Sequence, residues 1–191
     1  MIEKNISYKS SALKELYGAS EEVLKKQEER YKSLYKKFET NFGGKDPIFF
    51  SSPGRTEIGG NHTDHNHGKV LAAAVQLEAA AVAEPCEGRI EVRSGGWDQN
   101  FVVELDDLAP RTAEYGKTEA LLRGVAAHFQ KRGHRWGGFK ACVESSVLQG
   151  SGLSSSAAFE ILTGSILSSL YNDGAVAPAA RGHGREGRQA R

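Results

Sequence analysis

The chain has 191 residues, the length of one domain or of part of a larger two-domain protein. Hydrophobic residues make up 39%, charged residues 26%, and the formal net charge is +1, which excludes bulk electrostatic attraction to nucleic acid or to a membrane surface. The two cysteines, Cys86 and Cys142, exclude a disulfide scaffold, and no apolar run is long enough to span a bilayer. Since no signal-peptide pattern follows the first residues, we expect a cytoplasmic protein.

The first predicted element is a long amphipathic helix with Ser20 at its N-cap. Two glutamates follow, where acidic side chains favour the positive end of a helix. Gly43 and Gly44 end the pattern, as glycines past a helix C-terminus commonly do. Alternating acids and bases on its polar face favour packing on a domain over a membrane surface, so residues 1–45 are assigned to an N-terminal helical segment. Its apolar positions are Val23, Leu24, Tyr31, Leu34, Tyr35, Phe38 and Phe42.

Residues 46–174 are predicted to form an α+β domain. It opens with an apolar strand at Ile48–Phe50 and a polar, glycine-rich loop over residues 51–68. A second helix begins near Thr118, with an apolar stripe that ends at Phe129, and an apolar helix follows a loop over residues 148–154. Further strands are expected at residues 70–75, 79–83, 89–93, 101–105 and 139–147, with a turn at WDQN (97–100).

The last 17 residues, 175–191, differ from the rest in composition. They hold four arginines and one glutamate, a local charge of +3, and their only large aliphatic side chain is Val176. Such a segment buries too little apolar surface to offset its ordering entropy, so we predict a disordered tail rich in Arg, Gly and Ala. It is either a genuine basic tail or a translated frameshift, and the second interpretation is favoured.

The segment GSGLSSSAA, residues 150–158, lies between a predicted strand and a predicted helix. Its glycines allow backbone N–H groups to approach a phosphate, and the helix N-terminus adds partial positive charge. By itself it is equally consistent with an ordinary capped turn. Three other motifs are excluded. A Walker loop needs a lysine that this segment lacks, and the dinucleotide-binding fingerprint needs a glycine at the position of Ser155. A nucleophile elbow needs a glycine at the position of Gln149.

The segment PGRTEIGGNHTDHN, residues 53–66, concentrates arginine, aspartate, amide and imidazole side chains. Such a set suits a polyhydroxylated ligand, because each hydroxyl needs a donor and an acceptor in fixed geometry. Arg55 could stabilise charge that develops on a transferring phosphoryl group. The spacing of His62, His65 and His67 matches no established zinc pattern, and an ordinary solvated loop is the remaining interpretation.

Together, the two segments resemble motifs of the galactokinases, within the GHMP small-molecule kinases. GRTEIGGNHTDHN is similar to the galactokinase signature, and GSGLSSSAA is similar to the second motif of the wider superfamily. The resemblance covers residues 10–174 and implies the N-terminal lobe of a GHMP kinase, with a ribosomal-protein-S5-like fold and with the C-terminal lobe absent from this chain. It also implies transfer of the γ-phosphoryl group of ATP to the anomeric hydroxyl of galactose.

The resemblance assigns roles to individual residues. Arg55 matches the arginine that stabilises the transferring phosphoryl group. Ser156 matches the serine that binds Mg²⁺, and Ser94 is placed near the nucleotide. The remaining matches fall into two groups. The sugar-binding positions are Asn61, His62, Thr63 and Asp64. The positions that bind the ATP phosphates are Gly150, Ser151, Gly152, Leu153, Ser154, Ser155 and Ser156.

The sequence departs from the family pattern at three places. Asn61 stands where many members have glutamate, which leaves the sugar preference open, and Leu148 replaces a proline. No G-x-M-D-Q segment, which holds the family's catalytic aspartate, occurs in the chain. We therefore expect a galactokinase by ancestry that is inactive alone. There are two alternatives. The chain could be a non-catalytic regulator that binds sugar or nucleotide, or a kinase for a related sugar such as N-acetylgalactosamine. Its partners would be galactose and ATP, without nucleic acid or membrane, and its oligomeric state stays open.

Overall fold

A computed structural model of the chain describes residues 10–44, 46–60, 69–95, 99–147 and 150–177. The chain divides into two compact units, residues 1–45 and 46–191. Among the described residues, no helix combines the length and the apolar composition that a bilayer crossing requires.

The first unit contains two helices, α1 (Ser10–Tyr17) and α2 (Glu21–Phe42). The Tyr17 and Tyr31 hydroxyls lie 3.0 Å apart and link them. The prediction of α2 is confirmed at both ends. Ser20 occupies the N-cap with an extended backbone, although its side chain makes no capping bond, and Gly43 adopts the left-handed conformation that ends the helix.

The second unit is built on a sheet with strand order β1-β2-β5-β3-β4. The β3–β5 pair is parallel, and the other neighbouring pairs are antiparallel. A 3₁₀ turn (Thr112–Glu114) and two helices, α3 (Thr118–Lys131) and α4 (Ser155–Asn172), complete the unit. The strands are β1 (Ile48–Gly59), β2 (Leu71–Cys86), β3 (Arg89–Ser94), β4 (Gln99–Glu104) and β5 (Gly138–Ser145).

The strands differ from the sequence prediction at several boundaries, and β5 ends at Ser145 rather than at residue 147. The predicted loop from residue 51 is wrong as far as Gly59, because residues 51–59 continue β1 and pair with β2. The two strands expected at 70–75 and 79–83 are one strand, β2. Its pairing with β1 moves from Pro53–Glu78 to Arg55–Ala74, so Val75–Leu77 form a bulge opposite Gly54. Gln99 and Asn100, predicted in a turn, begin β4.

The core lies between one face of the sheet and helices α3 and α4. One face of β5 (Phe139, Ala141 and Val143) contributes to this core, and Val176 joins the same cluster although the sequence assigned it to the tail. Its backbone N–H donates to Ser168 Oγ at 3.2 Å, which fixes the chain after α4. The rest of the tail, residues 178–191, lies outside the described residues. The helical members of the core are Leu122, Val125, Ala126, Phe129, Leu162, Ile166 and Leu167.

A buried arginine holds the connection between β4 and α3. The Arg123 side chain is 3% exposed, and its Nε and Nη2 donate to the two carboxylate oxygens of Glu114 at 2.8 and 2.7 Å. Nη1 donates to the backbone oxygens of Glu104, at 3.3 Å, and Asp107. One guanidinium therefore fixes both ends of an otherwise irregular segment onto α3.

The β2–β3 turn closes tightly around the first residue of β5. A Cβ atom at Gly138 would lie 2.2 Å from the Arg89 carbonyl oxygen and 2.7 Å from that of Cys86. The Tyr171 hydroxyl, on α4, donates to the Gly138 carbonyl oxygen. This position therefore requires glycine for space, at the point where three strands and a helix meet.

Candidate functional site

Strand directions bring the two predicted motifs to one edge of the sheet. Because β3 and β5 are parallel, their carboxyl ends lie at the same edge, and β5 leads from there into the glycine-rich loop. The register pairs Ser52 with Ala79, and Ala79 with Ser145, the last residue of β5. Arg55 lies three residues farther along β1. It therefore extends past the end of β5, next to the loop that β5 feeds.

The glycine-rich loop ends in a helix N-terminus suited to an anion. Gly150 and Gly152 have φ of 76° and 75°, and a Cβ atom built at either would meet nothing within 4 Å. The first turn of α4 has no acidic residue, and Ser156 is exposed there. Since the first N–H groups of a helix lack intrahelical acceptors, this uncrowded turn can receive phosphate oxygens.

Ser154 is the unusual residue of this loop. It is the N-cap of α4, yet its φ is 58° and its ψ 52°, a left-handed conformation that is rare outside glycine. Its side chain does not cap the helix; instead Ser154 Oγ accepts a hydrogen bond from Arg55 Nε at 3.1 Å. The strained backbone thus aims the hydroxyl at the arginine of the other motif.

The backbones of the two motifs also touch. The Arg55 N–H donates to the Leu153 carbonyl oxygen at 3.1 Å. A Cβ atom on Gly54 would lie 3.1 Å from that oxygen and 3.1 Å from Val147 Cγ2, so only a small residue fits between β1 and the loop. Sequence reasoning missed the role of Gly54, although its place beside Arg55 in the signature was a usable signal.

A buried carboxylate supports the segment that leaves β5. Glu78 is 6% exposed and accepts a hydrogen bond from Ser51 Oγ. Its backbone N–H donates to Ser146 Oγ at 2.9 Å, and its carbonyl oxygen accepts from the Ser146 N–H, also at 2.9 Å. Ser146 is thereby fixed to β2 just before the loop begins. Glu78 and Ser146 were not selected as site residues from the sequence, because the residues around them show no pattern that indicates this contact.

Ser94, predicted near the nucleotide, is the last residue of β3 and pairs with Val143 and Gln99. Gln99 lines an open pocket of about 400 Å³ together with Asn100, Phe101 and the first residues of α3, residues 116–119. Ser94 therefore lies at the same edge of the sheet as Arg55 and the glycine-rich loop.

Asn61, His62, Thr63 and Asp64, the predicted sugar-binding positions, lie outside the described residues. In the described part of the chain, no group of three or more His, Cys, Asp or Glu side chains is arranged to hold a metal ion. The hydroxyl of Ser156 is a hard oxygen ligand on an exposed first turn, which fits Mg²⁺ when most of the other ligands are phosphate oxygens and water.

Two protein-family models match parts of the chain. The galactokinase galactose-binding signature matches residues 36–85, which include Arg55 and the predicted sugar positions. The N-terminal domain of the GHMP kinases matches residues 120–181, which include the glycine-rich loop and α4.

Individual relatives agree with these matches. A galactokinase of Clostridium acetobutylicum is 34% identical over 154 residues, which are 78% of this chain and 37% of that protein. The structure of Lactococcus lactis galactokinase in complex with galactose superposes with a TM-score of 0.68 at 28% identity, over 73% of this chain and 37% of that one. Methanococcus jannaschii mevalonate kinase, at 18% identity and a TM-score of 0.56 over 66% and 41% of the two chains, shares the fold.

The chain matches the GHMP kinases in sequence, and its α+β fold is that of their N-terminal part. Within them it matches the N-terminal portion of the galactokinases, both in sequence and in structure. It spans 37% of the length of each of these two galactokinases.

Proposed function

We propose that this chain carries the ATP-phosphate and sugar-binding part of a cytoplasmic galactokinase. The observation that carries the proposal is the direct contact between Arg55 and the glycine-rich loop, through Leu153 and Ser154. A phosphate placed on the loop would lie beside a guanidinium, which offers five N–H donors in a fixed fork.

Each residue would have a distinct part in the reaction. Gly150–Ser156 would bind the ATP phosphates through backbone N–H groups and hydroxyls, and Ser156 would also hold Mg²⁺. Asn61–Asp64 would position galactose with its anomeric hydroxyl facing the γ-phosphate. Bound Mg²⁺ supplies positive charge that offsets the charge of the phosphate oxygens. Arg55 would neutralise charge on the γ-phosphoryl group as it passes to the sugar oxygen and ADP leaves. Catalysis would rest on positioning and charge, without a covalent intermediate.

The transfer also requires that the sugar hydroxyl lose a proton. The family's aspartate for this step belongs to a G-x-M-D-Q segment that these 191 residues do not contain. We therefore propose that the chain by itself binds nucleotide and sugar and releases ADP at no measurable rate. Galactose-dependent ADP release by the purified chain, abolished by Arg55→Ala, would contradict this part of the proposal.

Gly152→Val tests the phosphate site directly. A branched side chain there would occupy the open space in which the phosphate is proposed to bind. We expect the Kd for a non-hydrolysable ATP analogue with Mg²⁺ to rise about tenfold, or about 1.4 kcal/mol, by calorimetry. Gly88→Val is the matched control, because Gly88 has φ 73°, a Cβ there meets nothing within 4 Å, and it lies in the β2–β3 turn. If the two folded variants bind the ATP analogue with equal affinity, the nucleotide does not bind at this loop.

A second candidate function is that of a non-catalytic binder of galactose and ATP, because the contact of Arg55 with the glycine-rich loop would serve binding without transfer equally well. A related sugar such as N-acetylgalactosamine is a further candidate ligand, because Asn61 can both donate and accept hydrogen bonds. Titrating the chain with both sugars, with and without nucleotide, distinguishes these possibilities. Sugar binding that regulates a second protein, with no ADP release in any mixture, would favour the non-catalytic binder.

A further inference from the structure

Arg55 contacts a second side chain that the proposed phosphate site does not require. Its Nη2 lies 3.3 Å from Glu57 Oε1, while its Nε donates to Ser154 Oγ at 3.1 Å. Glu57 stands two residues along β1, and alternate residues of a strand project to the same side. The guanidinium is therefore held between a hydroxyl of the loop and a carboxylate of its own strand.

The charge of Glu57 opposes the ligand proposed for this site. The first turn of α4 carries no acid, whereas Glu57 places a negative charge directly on the arginine that would meet the terminal phosphate. The Glu57 side chain is 23% exposed and that of Arg55 46% exposed, so solvent screens the pair and its attraction is modest. A bound phosphate, with more charge and more acceptor oxygens, can replace the carboxylate.

On the basis of the proposed function, we propose that Glu57 is a positioning residue for Arg55 that the third phosphate of ATP displaces. Before nucleotide binds, Glu57 and Ser154 keep the guanidinium against the loop. When the terminal phosphate arrives, Arg55 exchanges the Glu57 carboxylate for phosphate oxygens. Glu57 thereby lowers the affinity for ATP relative to ADP, because only ATP must break the ion pair.

The test is a double-mutant cycle on nucleotide affinity. In Glu57→Gln, we expect the Kd for a non-hydrolysable ATP analogue to fall about three- to fivefold, the range of an exposed ion pair, and the Kd for ADP to stay unchanged. In an Arg55→Met background, the same Glu57→Gln change should have no effect on either ligand. Glu57→Asp, which keeps the charge, should retain the affinity ratio of the original chain.

Glu87→Gln is the matched control, since Glu87 is exposed in the β2–β3 turn and its loss changes the net charge equally. An equal gain in ATP affinity there would mean a general charge effect and overturn the inference. So would equal changes for ATP and ADP in Glu57→Gln, or a gain that persists without Arg55. If the original chain binds neither nucleotide, the proposed function fails and this inference fails with it.

Discussion

Arg123→Met should lower the free energy of unfolding by about 3 kcal/mol, a loss typical of breaking a buried ion pair. The substitution removes every bond that the guanidinium makes to Glu114 and to the backbone oxygens of Glu104 and Asp107. Methionine fills similar volume, so the loss reports the unpaired groups rather than a cavity. Chemical denaturation followed by circular dichroism measures it.

Arg111→Met is the control for this experiment. Arg111 pairs with Asp107 at 3.9 Å, and the two side chains are 43% and 57% exposed, so we expect a change below about 1 kcal/mol. A loss at Arg123 no larger than the one at Arg111 would show that the buried pair does not stabilise the unit.

Acid should reduce the difference between the original chain and Arg123→Met. The Arg123 hydrogen bond holds the pKa of Glu114 below its ordinary value of 4.5. A lowered pKa contributes stability that is complete above the unfolded value and is lost as the pH falls through the folded one. The difference in unfolding free energy between the two proteins should therefore stay constant from neutral pH down to about 5 and shrink below about 4.5. A difference that grows below that pH would exclude this pair as its source.

Gly138→Ala should also lower the free energy of unfolding, by about 3 kcal/mol or more, or prevent folding. The added Cβ would lie 2.2 Å from one backbone oxygen and 2.7 Å from another. Backbone cannot move aside as a flexible side chain can, so the β2–β3 turn must separate from β5. Thermal unfolding of the purified variant measures the effect, and insoluble expression would be its most severe form.

Gly59→Ala is the corresponding control within a strand. Gly59 ends β1, and a Cβ built there meets nothing within 4 Å, so the substitution should change stability by less than about 1 kcal/mol. If Gly138→Ala lowered the unfolding free energy no more than Gly59→Ala, the β2–β3 turn would be more flexible than its contacts indicate.

The elements with strong local patterns were predictable from the sequence. Apolar spacing located α3 and α4, and alternating apolar residues located β5. The polar residues after Phe50 led to the wrong prediction of a loop. Residues 51–59 form a strand because their backbone pairs with that of β2, although few of their side chains favour strands. Arg123 is buried beside the apolar stripe of α3 and pairs with Glu114, which lies outside the helix, so the pattern of the helix alone did not indicate its burial.

For the candidate site, the motifs indicated which residues matter but not how they meet. The contacts of Arg55 with Leu153 and Ser154 span about a hundred positions of sequence, and they follow from the strand order rather than from either motif. The left-handed backbone of Ser154 had no signal, because serine at that place reads as an ordinary N-cap. Glu57 was part of the signature, and only its distance to Arg55 gave it a role.

The position of β5 has a consequence for how the chain folds. The β1–β2 and β3–β4 pairs join strands that are neighbours in sequence, and each can form early, whereas β5 must insert between them. Contacts between distant segments close slowly, because the intervening chain loses entropy before the contact repays it. During synthesis, Arg55 would leave the ribosome long before the loop that it contacts. The candidate site would therefore be assembled in the last folding step, together with the middle of the sheet.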